Sequence, residues 1–242
     1  MGKIRCDHYA KYESENLDKK FDERLENEKA QDESSIKITY LNVRSFPPHY
    51  KDVKQDPTLM KSDVICLGET WLEEGFPDIP LDGFNGTSDI KPKGQGRGKG
   101  LSLYTKLQGS VKTFTSVNGN ASAILQRSEK LHIICLYLSG NFDWQELREV
   151  FDLWICGDKP TVILGDCNWD YQLNHPMKTY LINKGFLQCM TRATHEQGNK
   201  IDHLYICPMV QELSYKIVHQ SVHFSDQDII GINIKQNCIN YL

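Results

Sequence analysis

One stretch, residues 161–168, constrains the fold of this chain more than any other. It follows Pro160 and reads Thr-Val-Ile-Leu-Gly-Asp-Cys-Asn, an apolar run closed by a glycine and an aspartate. Such a run is typical of a buried strand, and it predicts that Asp166 and Asn168 point to one side of the chain just past the strand. A carboxylate and an amide held on a rigid element suit metal-assisted hydrolysis, although a strand followed by an Asx-rich turn explains the same residues.

Length and composition place the chain among ordinary globular proteins. Its 242 residues can bury one full core, and 39% hydrophobic and 25% charged residues are common in such domains. A net charge of −4 neither favours nor excludes a nucleic-acid partner, because clustering of charge matters more than the sum. We see no signal peptide and no apolar run of about 20 residues, so we expect an intracellular protein without a membrane partner.

The eight cysteines form no Cys-x-x-Cys pair. Cys66 and Cys135 lie inside apolar runs, where a thiol packs as a small hydrophobic side chain. We therefore predict reduced cysteines in a reducing compartment.

Two regions differ in composition. Residues 1–35 hold seven basic and ten acidic side chains and only a thin apolar stripe of Leu17, Phe21 and Leu25. This pattern predicts a charged tail or linker at 1–35, followed by one folded domain at 36–242.

The domain is rich in predicted strands. We expect strands at 36–41, 64–67, 101–106, 111–117, 121–127, 131–138, 161–164, 201–206, 213–218 and 229–234, and helices from 47 to about 60, at 144–155 and at 177–184. Asn118-Gly119-Asn120 indicates a hairpin turn. Many strands without regular helix alternation favour an α/β (α+β) fold with two stacked sheets and outer helices.

Polar side chains follow several of these strands. They are Asn42, Glu69, the Asp166 and Asn168 pair and Asp202, and a further group, Ser225-Asp226-Gln227, precedes the last strand. Each residue alone is explained by a turn or a helix cap. Together they predict a shared site whose hard oxygen ligands suit Mg²⁺ or Mn²⁺ rather than zinc, as phosphodiester hydrolysis requires.

The order of these motifs resembles that of the endonuclease/exonuclease/phosphatase superfamily over residues 36–234. The matching segments are Asn-Val-Arg-Ser at 42–45, Gly-Glu-Thr-Trp at 68–71, Gly-Asp-Cys-Asn at 165–168, Ile-Asp-His at 201–203 and Ser-Asp at 225–226. The first two forms are most similar to transposon-encoded endonucleases. Gly-Arg-Gly-Lys-Gly at 96–100 and Ala-Thr-His at 193–195 resemble the endonuclease joined to the helicase of Helentron-type transposons.

The resemblance implies a four-layer sandwich of two mixed sheets between helices, and a role for each motif residue. Metal ligands would be Glu69, Asn42 and Asp226; catalytic residues would be Asp166 for the attacking water, Asn168 and Tyr137 for the phosphate, and Asp202 to orient a histidine; Arg44 would bind substrate. Apart from the resemblance, Lys91, Lys93, Arg97 and Lys99 alternate with glycines and could bind a DNA backbone, although a flexible surface loop explains the same residues. It further implies Mg²⁺ or Mn²⁺ as cofactor, DNA as partner, a nuclear location and a helicase encoded by the same element.

One position departs from the family pattern. The family reads Ser-Asp-His where this chain has Gln227, and glutamine can donate a hydrogen bond but cannot shuttle a proton. Loss of a general acid or base typically removes about 10²–10⁴ of rate. Three hypotheses follow: a DNA endonuclease with impaired activity, an inactive DNA- or protein-binding module on the same fold, and a phosphatase acting on inositol lipids or sphingomyelin. His203 and His223 lie near the gap, but we expect structural or surface roles for both.

Overall fold

A computed structural model describes residues 35–235 of the chain. The tail predicted at 1–35 lies outside the described residues, apart from Ser35, which begins the first strand. The strands are β1 Ser35–Asn42, β2 Val64–Gly68, β3 Asn85–Asp89, β4 Leu101–Thr105, β5 Ser110–Thr115, β6 Ala121–Arg127, β7 His132–Leu138, β8 Thr161–Asp166, β9 Leu187–Gln188, β10 Asp202–Ile206, β11 Tyr215–Gln220 and β12 Ile229–Lys235. The helices are α1 Phe46–Gln55, α2 Pro57–Met60, α3 Trp144–Trp154, α4 Pro176–Asn183 and α5 Pro208–Gln211.

The strands form two six-stranded sheets. Their orders are β11-β12-β1-β2-β4-β3 and β5-β6-β7-β8-β10-β9. Both sheets are mixed, because β1 pairs with β2 and β7 with β8 in parallel, whereas β4 and β10 join these pairs antiparallel. Parallel neighbours end at the same edge of a sheet, so the polar residues after β1, β2, β7 and β8 are brought to one edge of each sheet.

Alternating side chains explain the layers. In β2, Val64 and Cys66 belong to the core that includes the second sheet, and Ile65 and Leu67 pack with the residues of α1 and α2. Apolar residues of α3 and α4 complete the core on the side of the second sheet. The predicted architecture, two mixed sheets flanked by helices, is confirmed. No helix in the described range is both long and apolar enough to cross a lipid bilayer.

Several elements differ from the predictions, and three of these differences have a clear physical cause. The helix predicted from 47 to about 60 is split, because Pro57 disfavours a helical residue before it and Asp56 instead caps α2 through the N–H groups of Thr58 and Leu59. Strand β3 was not predicted, since its sequence Asn-Gly-Thr-Ser-Asp is polar and becomes a strand only by pairing with β4 at the sheet edge. Strand β9 was missed because two residues are too few for a periodic pattern, and it becomes a strand only by pairing with β10 at the sheet edge.

The prediction of reduced thiols is wrong for two cysteines. Cys66 in β2 and Cys135 in β7 form a disulfide with a Cα–Cα distance of 6.3 Å. The sequence gives no sign of this pair because 69 residues separate them. The bond joins one sheet to the other, on the two strands that lead to Glu69 and Tyr137.

Candidate active site

Both sheets contribute to a buried cluster centred on Asp166, the last residue of β8. Its Oδ2 accepts hydrogen bonds from Asn42 Nδ2 at 2.9 Å and from Gln227 Nε2 at 3.2 Å. Its Oδ1 accepts the backbone N–H of Asn168 at 2.8 Å, which is the Asx turn that the sequence also allowed. Asn42 ends β1 in the first sheet, so this contact connects the two sheets at their polar edges.

Burial controls the acidity of this carboxyl. Asp166 has no exposed surface, and the loss of solvation raises its pKa from 3.8 to about 6, while the hydrogen bonds from Asn42 and Gln227 act in the opposite direction. A carboxylate with a pKa near neutral can take a proton from water more readily than an ordinary surface aspartate.

Glu69 faces the same cluster from the turn after β2. Its Oε1 lies 3.1 Å from the Tyr137 hydroxyl, which also lies 2.7 Å from the backbone oxygen of Gly98. Tyr137 stands opposite Asp166 in the register of β7 and β8. Burial, then the nearby Glu69 and Asp166 charges, raise the pKa of Tyr137, so its hydroxyl stays a neutral donor.

The backbone at this edge is unusual. All five non-glycine residues with positive φ within the described range follow the polar strand ends: Arg44 (46°), Ser45 (88°), Glu69 (50°), Trp71 (54°) and Asn168 (55°). Such residues are uncommon and cost free energy, of order 1–3 kcal/mol each. Their clustering at one edge favours a functional role for this edge over a purely structural one.

Asp226 lies beside the strand ends, between two nitrogen-bearing side chains. Arg44 Nη1 donates a hydrogen bond to its Oδ2 at 2.7 Å, and His195 Nε2 lies 3.3 Å from the same oxygen. The other oxygen, Oδ1, is buried and has no hydrogen-bond partner among the described residues. A buried carboxylate oxygen without a donor is the kind of atom that a cation or a ligand satisfies.

Two further buried groups adjoin Asp166. Asp202 is opposite Asp166 in the β8–β10 register, and neither of its carboxylate oxygens has a hydrogen-bond partner in residues 35–235. Burial, then the Asp166 charge, raise the pKa of Asp202 well above its usual value. The Tyr40 hydroxyl and Gln227 Oε1 are also buried without partners there. The polar groups around Gln227 are therefore incompletely paired.

Asn168 is exposed, unlike the other predicted catalytic residues Asp166, Asp202 and Tyr137. Its side-chain Nδ2 donates to the backbone oxygen of Leu138 at 2.7 Å. An amide nitrogen carries two hydrogens, so this bond fixes the side chain and leaves one donor.

The oxygen donors fit a hard divalent cation. Glu69, Asn42 and Asp226 would provide two carboxylates and one amide, and Mg²⁺ is commonly held by one or two carboxylates with water and substrate phosphates completing its shell. Within the described range, no three His, Cys, Asp or Glu side chains are grouped as ligands. A protein-only metal cage of that kind is thus not what this edge offers.

The predicted basic residues have different environments. Arg97 is exposed, with its guanidinium 5.8 Å from the centre of the Trp71 ring, and Lys99 Nζ donates to Asn120 Oδ1 at 3.0 Å. Lys91, which the sequence placed with them as a backbone-binding lysine, is instead buried and paired with Asp89 at 2.5 Å. A buried lysine needs a partner for its charge, and here that partner is Asp89. The sequence does not reveal this pairing.

The loop that carries Arg97 is held in place by Glu73. Its carboxylate accepts the N–H groups of Gly94 at 2.9 Å and Gly96 at 2.8 Å, and these two bonds lower its pKa. These two bonds anchor the loop at Gly94 and Gly96.

The sequence analysis assigned no role to two residues of this region, Tyr40 and His195, although His195 ends the Ala-Thr-His motif. Neither follows a strand, so the strand-end pattern could not identify them. His195 forms an isolated antiparallel bridge with Gln227, which brings distant segments together. The expectations for the other two histidines are confirmed: His203 is buried and His223 is exposed.

His203 gives a prediction for stability against pH. Its Nε2 lies near the backbone oxygens of Trp169 (3.2 Å) and Lys200 (3.1 Å), and burial lowers its pKa from 6.5 to about 4. Because the pKa of His203 is lower in the folded chain, the unfolded chain binds more protons between pH 6.5 and 4. The free energy of unfolding therefore falls as the pH falls through that window. We expect His203→Gln to flatten the dependence of unfolding free energy on pH there by about 1.4 kcal/mol per pH unit. Urea unfolding of the wild type and of His203→Gln at several pH values measures this dependence. Parallel plots of unfolding free energy against pH would contradict the lowered pKa of His203.

Comparison with known proteins identifies the class to which this fold and site belong. A model of the "Endonuclease/Exonuclease/phosphatase family" matches residues 39–226. The chain belongs to this family. No curated protein matches the sequence.

Solved structures share the fold at low sequence identity. An AP endonuclease from Archaeoglobus fulgidus has a TM-score of 0.65 at 14% identity, covering 83% of this chain and 99% of its own. The 3'-5' exonuclease NExo from Neisseria meningitidis has 0.61 at 16%, covering 83% and 100%. The endonuclease domain of TRAS1, a telomere-specific non-LTR retrotransposon, has 0.57 at 13%, covering 84% and 99%. These likenesses concern the fold.

Proposed function

We propose that this chain is a Mg²⁺- or Mn²⁺-dependent phosphodiesterase that acts as a DNA endonuclease of mobile-element origin, with activity limited by Gln227. The observation that carries the proposal is the contact of Asn42 from one sheet with Asp166 from the other, with Gln227 on the same oxygen. Carboxylates and amides from separate strands converge at one edge, as a metal-assisted hydrolytic site requires. Family membership and the nucleases that share the fold support the same reaction class.

Each residue has a role in this proposal. Glu69 and Asn42, with Asp226, would hold the cation, which when bound supplies charge to stabilise the developing negative charge on the phosphate. Asp166 would orient and deprotonate the attacking water. Asn168 would donate its remaining amide hydrogen to the scissile phosphate.

Two more residues would contact or orient the substrate. Tyr137 is buried with its hydroxyl beside Glu69 Oε1 and the Gly98 backbone oxygen, and it would contact the phosphate. Gln227 would donate a hydrogen bond where the family has a histidine, and this would leave Asp202 without the group that it orients. This deficiency is why we propose slow turnover.

The substrate would approach over the glycine-rich loop. Arg97 is exposed on Trp71, Lys99 lies beside the Asn118-Gly119-Asn120 turn, and Arg44 is half exposed. Ammonium and guanidinium groups that neutralise phosphates give DNA binding a strong salt dependence. A nuclear site of action and an association with a helicase of the same element would follow from this origin.

The direct test is nicking of supercoiled plasmid by the purified full chain. We expect Mg²⁺-dependent conversion to open circles, suppressed by chelator and restored by added metal. Glu69→Gln keeps the side-chain volume but removes the charge, so half-maximal nicking should need at least about tenfold more Mg²⁺, since even indirect partners of metal ligands are worth about 10–100-fold.

A control of matched chemistry is Glu149→Gln, on the exposed face of α3. It should nick as the wild type does. Plasmid nicking by Glu69→Gln with an unchanged Mg²⁺ requirement would refute the assignment of Glu69.

A second function stays in view because Gln227 replaces the family histidine. The fold could bind DNA or a protein without cutting. Tight, salt-dependent DNA binding with no nicking at any Mg²⁺ or Mn²⁺ concentration would favour that function over the enzyme.

A further inference from the structure

His195 adjoins Asp226 although it lies in a different segment of the chain. We propose that His195 is a positioning residue, which with Arg44 holds Oδ2 of Asp226 so that Oδ1 is presented to the cation. The inference deepens the proposed function and rests on it. It concerns a residue that the sequence pattern did not select.

The hydrogen bonding of the imidazole ring decides what His195 can do. Its Nδ1 accepts the backbone N–H of Gln197 at 3.1 Å. The ring proton is therefore on Nε2, which faces Asp226 Oδ2 at 3.3 Å. Both ring nitrogens are directed at protein groups. His195 is thus not placed to donate to a phosphate or to move a proton, and it does not replace the histidine that Gln227 displaces.

The backbone fixes the ring relative to its carboxylate. Asp228 N donates to the backbone oxygen of Thr194 at 2.8 Å, and Glu196 N donates to that of Asp226 at 3.0 Å. His195 stands between these bonds, paired with Gln227. A side chain held in this way loses little further freedom when it contacts Asp226, so the contact is maintained at low entropic cost.

The two contacts to Asp226 Oδ2 are unequal. The Arg44 side chain is 54% exposed, and solvent and salt weaken an ion pair of such a residue. The side chains of His195 and Asp226 are only 13% and 14% exposed. The imidazole N–H therefore provides the more protected contact, and Arg44 supplies the charge.

The unpaired oxygen gives the arrangement its direction. Oδ2 accepts a hydrogen bond from Arg44 and is in contact with the His195 ring, whereas Oδ1 of Asp226 is buried and has no partner within residues 35–235. Partners that orient a ligating carboxylate or imidazole typically contribute about 10–100-fold to metal affinity. Removing the imidazole would let the carboxylate rotate and lose this orientation.

Binding of Mn²⁺ alone, measured by electron paramagnetic resonance of the free ion, tests the proposal on the full chain. We expect His195→Ala to weaken Mn²⁺ binding by about tenfold. His195→Gln should keep most of the affinity, because the amide Nε2 can donate from nearly the same place as the imidazole Nε2. His223→Ala, an exposed histidine outside the site, is the matched control and should bind as the wild type does.

The variants distinguish a positioning role from a structural one. Circular dichroism and melting temperature check that each variant is folded. A folded His195→Ala protein with wild-type Mn²⁺ affinity would overturn the proposal, and so would a His195→Gln protein as weak as His195→Ala.

Plasmid nicking in the same samples separates this inference from the proposed function. If the expected Mn²⁺ affinities are found but no variant, wild type included, nicks DNA, the positioning role stands and the endonuclease falls. If the wild type nicks and His195→Ala keeps full Mn²⁺ affinity, the endonuclease stands and the positioning role falls.

Discussion

Asp166→Asn is expected to reduce plasmid nicking by about 10²–10⁴-fold, the range typical for loss of a general acid or base. The substitution keeps the size of the side chain and still offers one oxygen to Asn42 Nδ2 and Gln227 Nε2, but it gives up the bond to the Asn168 N–H, so circular dichroism and melting temperature must show that the variant is folded. What it removes is the carboxylate whose pKa burial has raised to about 6. Single-turnover nicking with saturating enzyme and saturating Mg²⁺ measures the chemical step without effects of DNA or metal affinity.

The matched control for this prediction is Asp158→Asn. Asp158 is exposed in the loop before β8, so Asp158→Asn removes the same charge at the end of the strand opposite to Asp166. The control should nick at the wild-type rate. Full nicking by Asp166→Asn would remove Asp166 from the reaction and, with it, the central residue of the proposed site.

The second large effect is a gain. Gln227→His is expected to raise nicking by about tenfold or more, toward the 10²–10⁴ that a positioned acid or base contributes. Gln227 Oε1 and both Asp202 carboxylate oxygens are buried without partners among the described residues, so a histidine there would find a carboxylate in need of a donor. An imidazole can carry charge toward the phosphate, which an amide cannot.

A double-mutant cycle examines whether the gain uses Asp202. Adding Asp202→Asn to Gln227→His should cancel most of the increase, whereas Asp202→Asn alone should change the slow wild-type rate much less. A large coupling between two sites shows that they act together. If Gln227→His is folded, binds DNA and nicks no faster, the slow step of this enzyme is not limited by position 227.

The stacked-sheet fold was predictable because its signals are local. Apolar runs such as residues 161–164 are long enough to mark buried strands, and the strand ends at Asn42, Glu69 and Asp166 could be identified from the polar residues that follow them. Boundaries failed where tertiary pairing decided the structure. Strand β3 is polar and is ordered by β4, so no periodicity identifies it.

The site was predictable in membership but not in connection. Asn42, Asp166 and Gln227 could be grouped from motif order, yet nothing in the sequence says that both amides share one oxygen of Asp166. The Ala-Thr-His motif includes His195, but its role could not be assigned because its partners come from a segment about 30 residues later. Lys91 was misplaced because a buried lysine and an exposed one have the same letter, and only Asp89 and Ser122 distinguish them.

The bond between Asn42 and Asp166 joins residues 124 positions apart, one from each sheet. Neither sheet can form the site by itself, because each contributes only part of the polar edge. A displacement of one sheet over the other by a single residue, about 3.3 Å, would break this 2.9 Å bond. The reaction rate should therefore depend strongly on how the two sheets are aligned. Substitutions in the buried contact between the sheets should lower turnover before they lower the melting temperature.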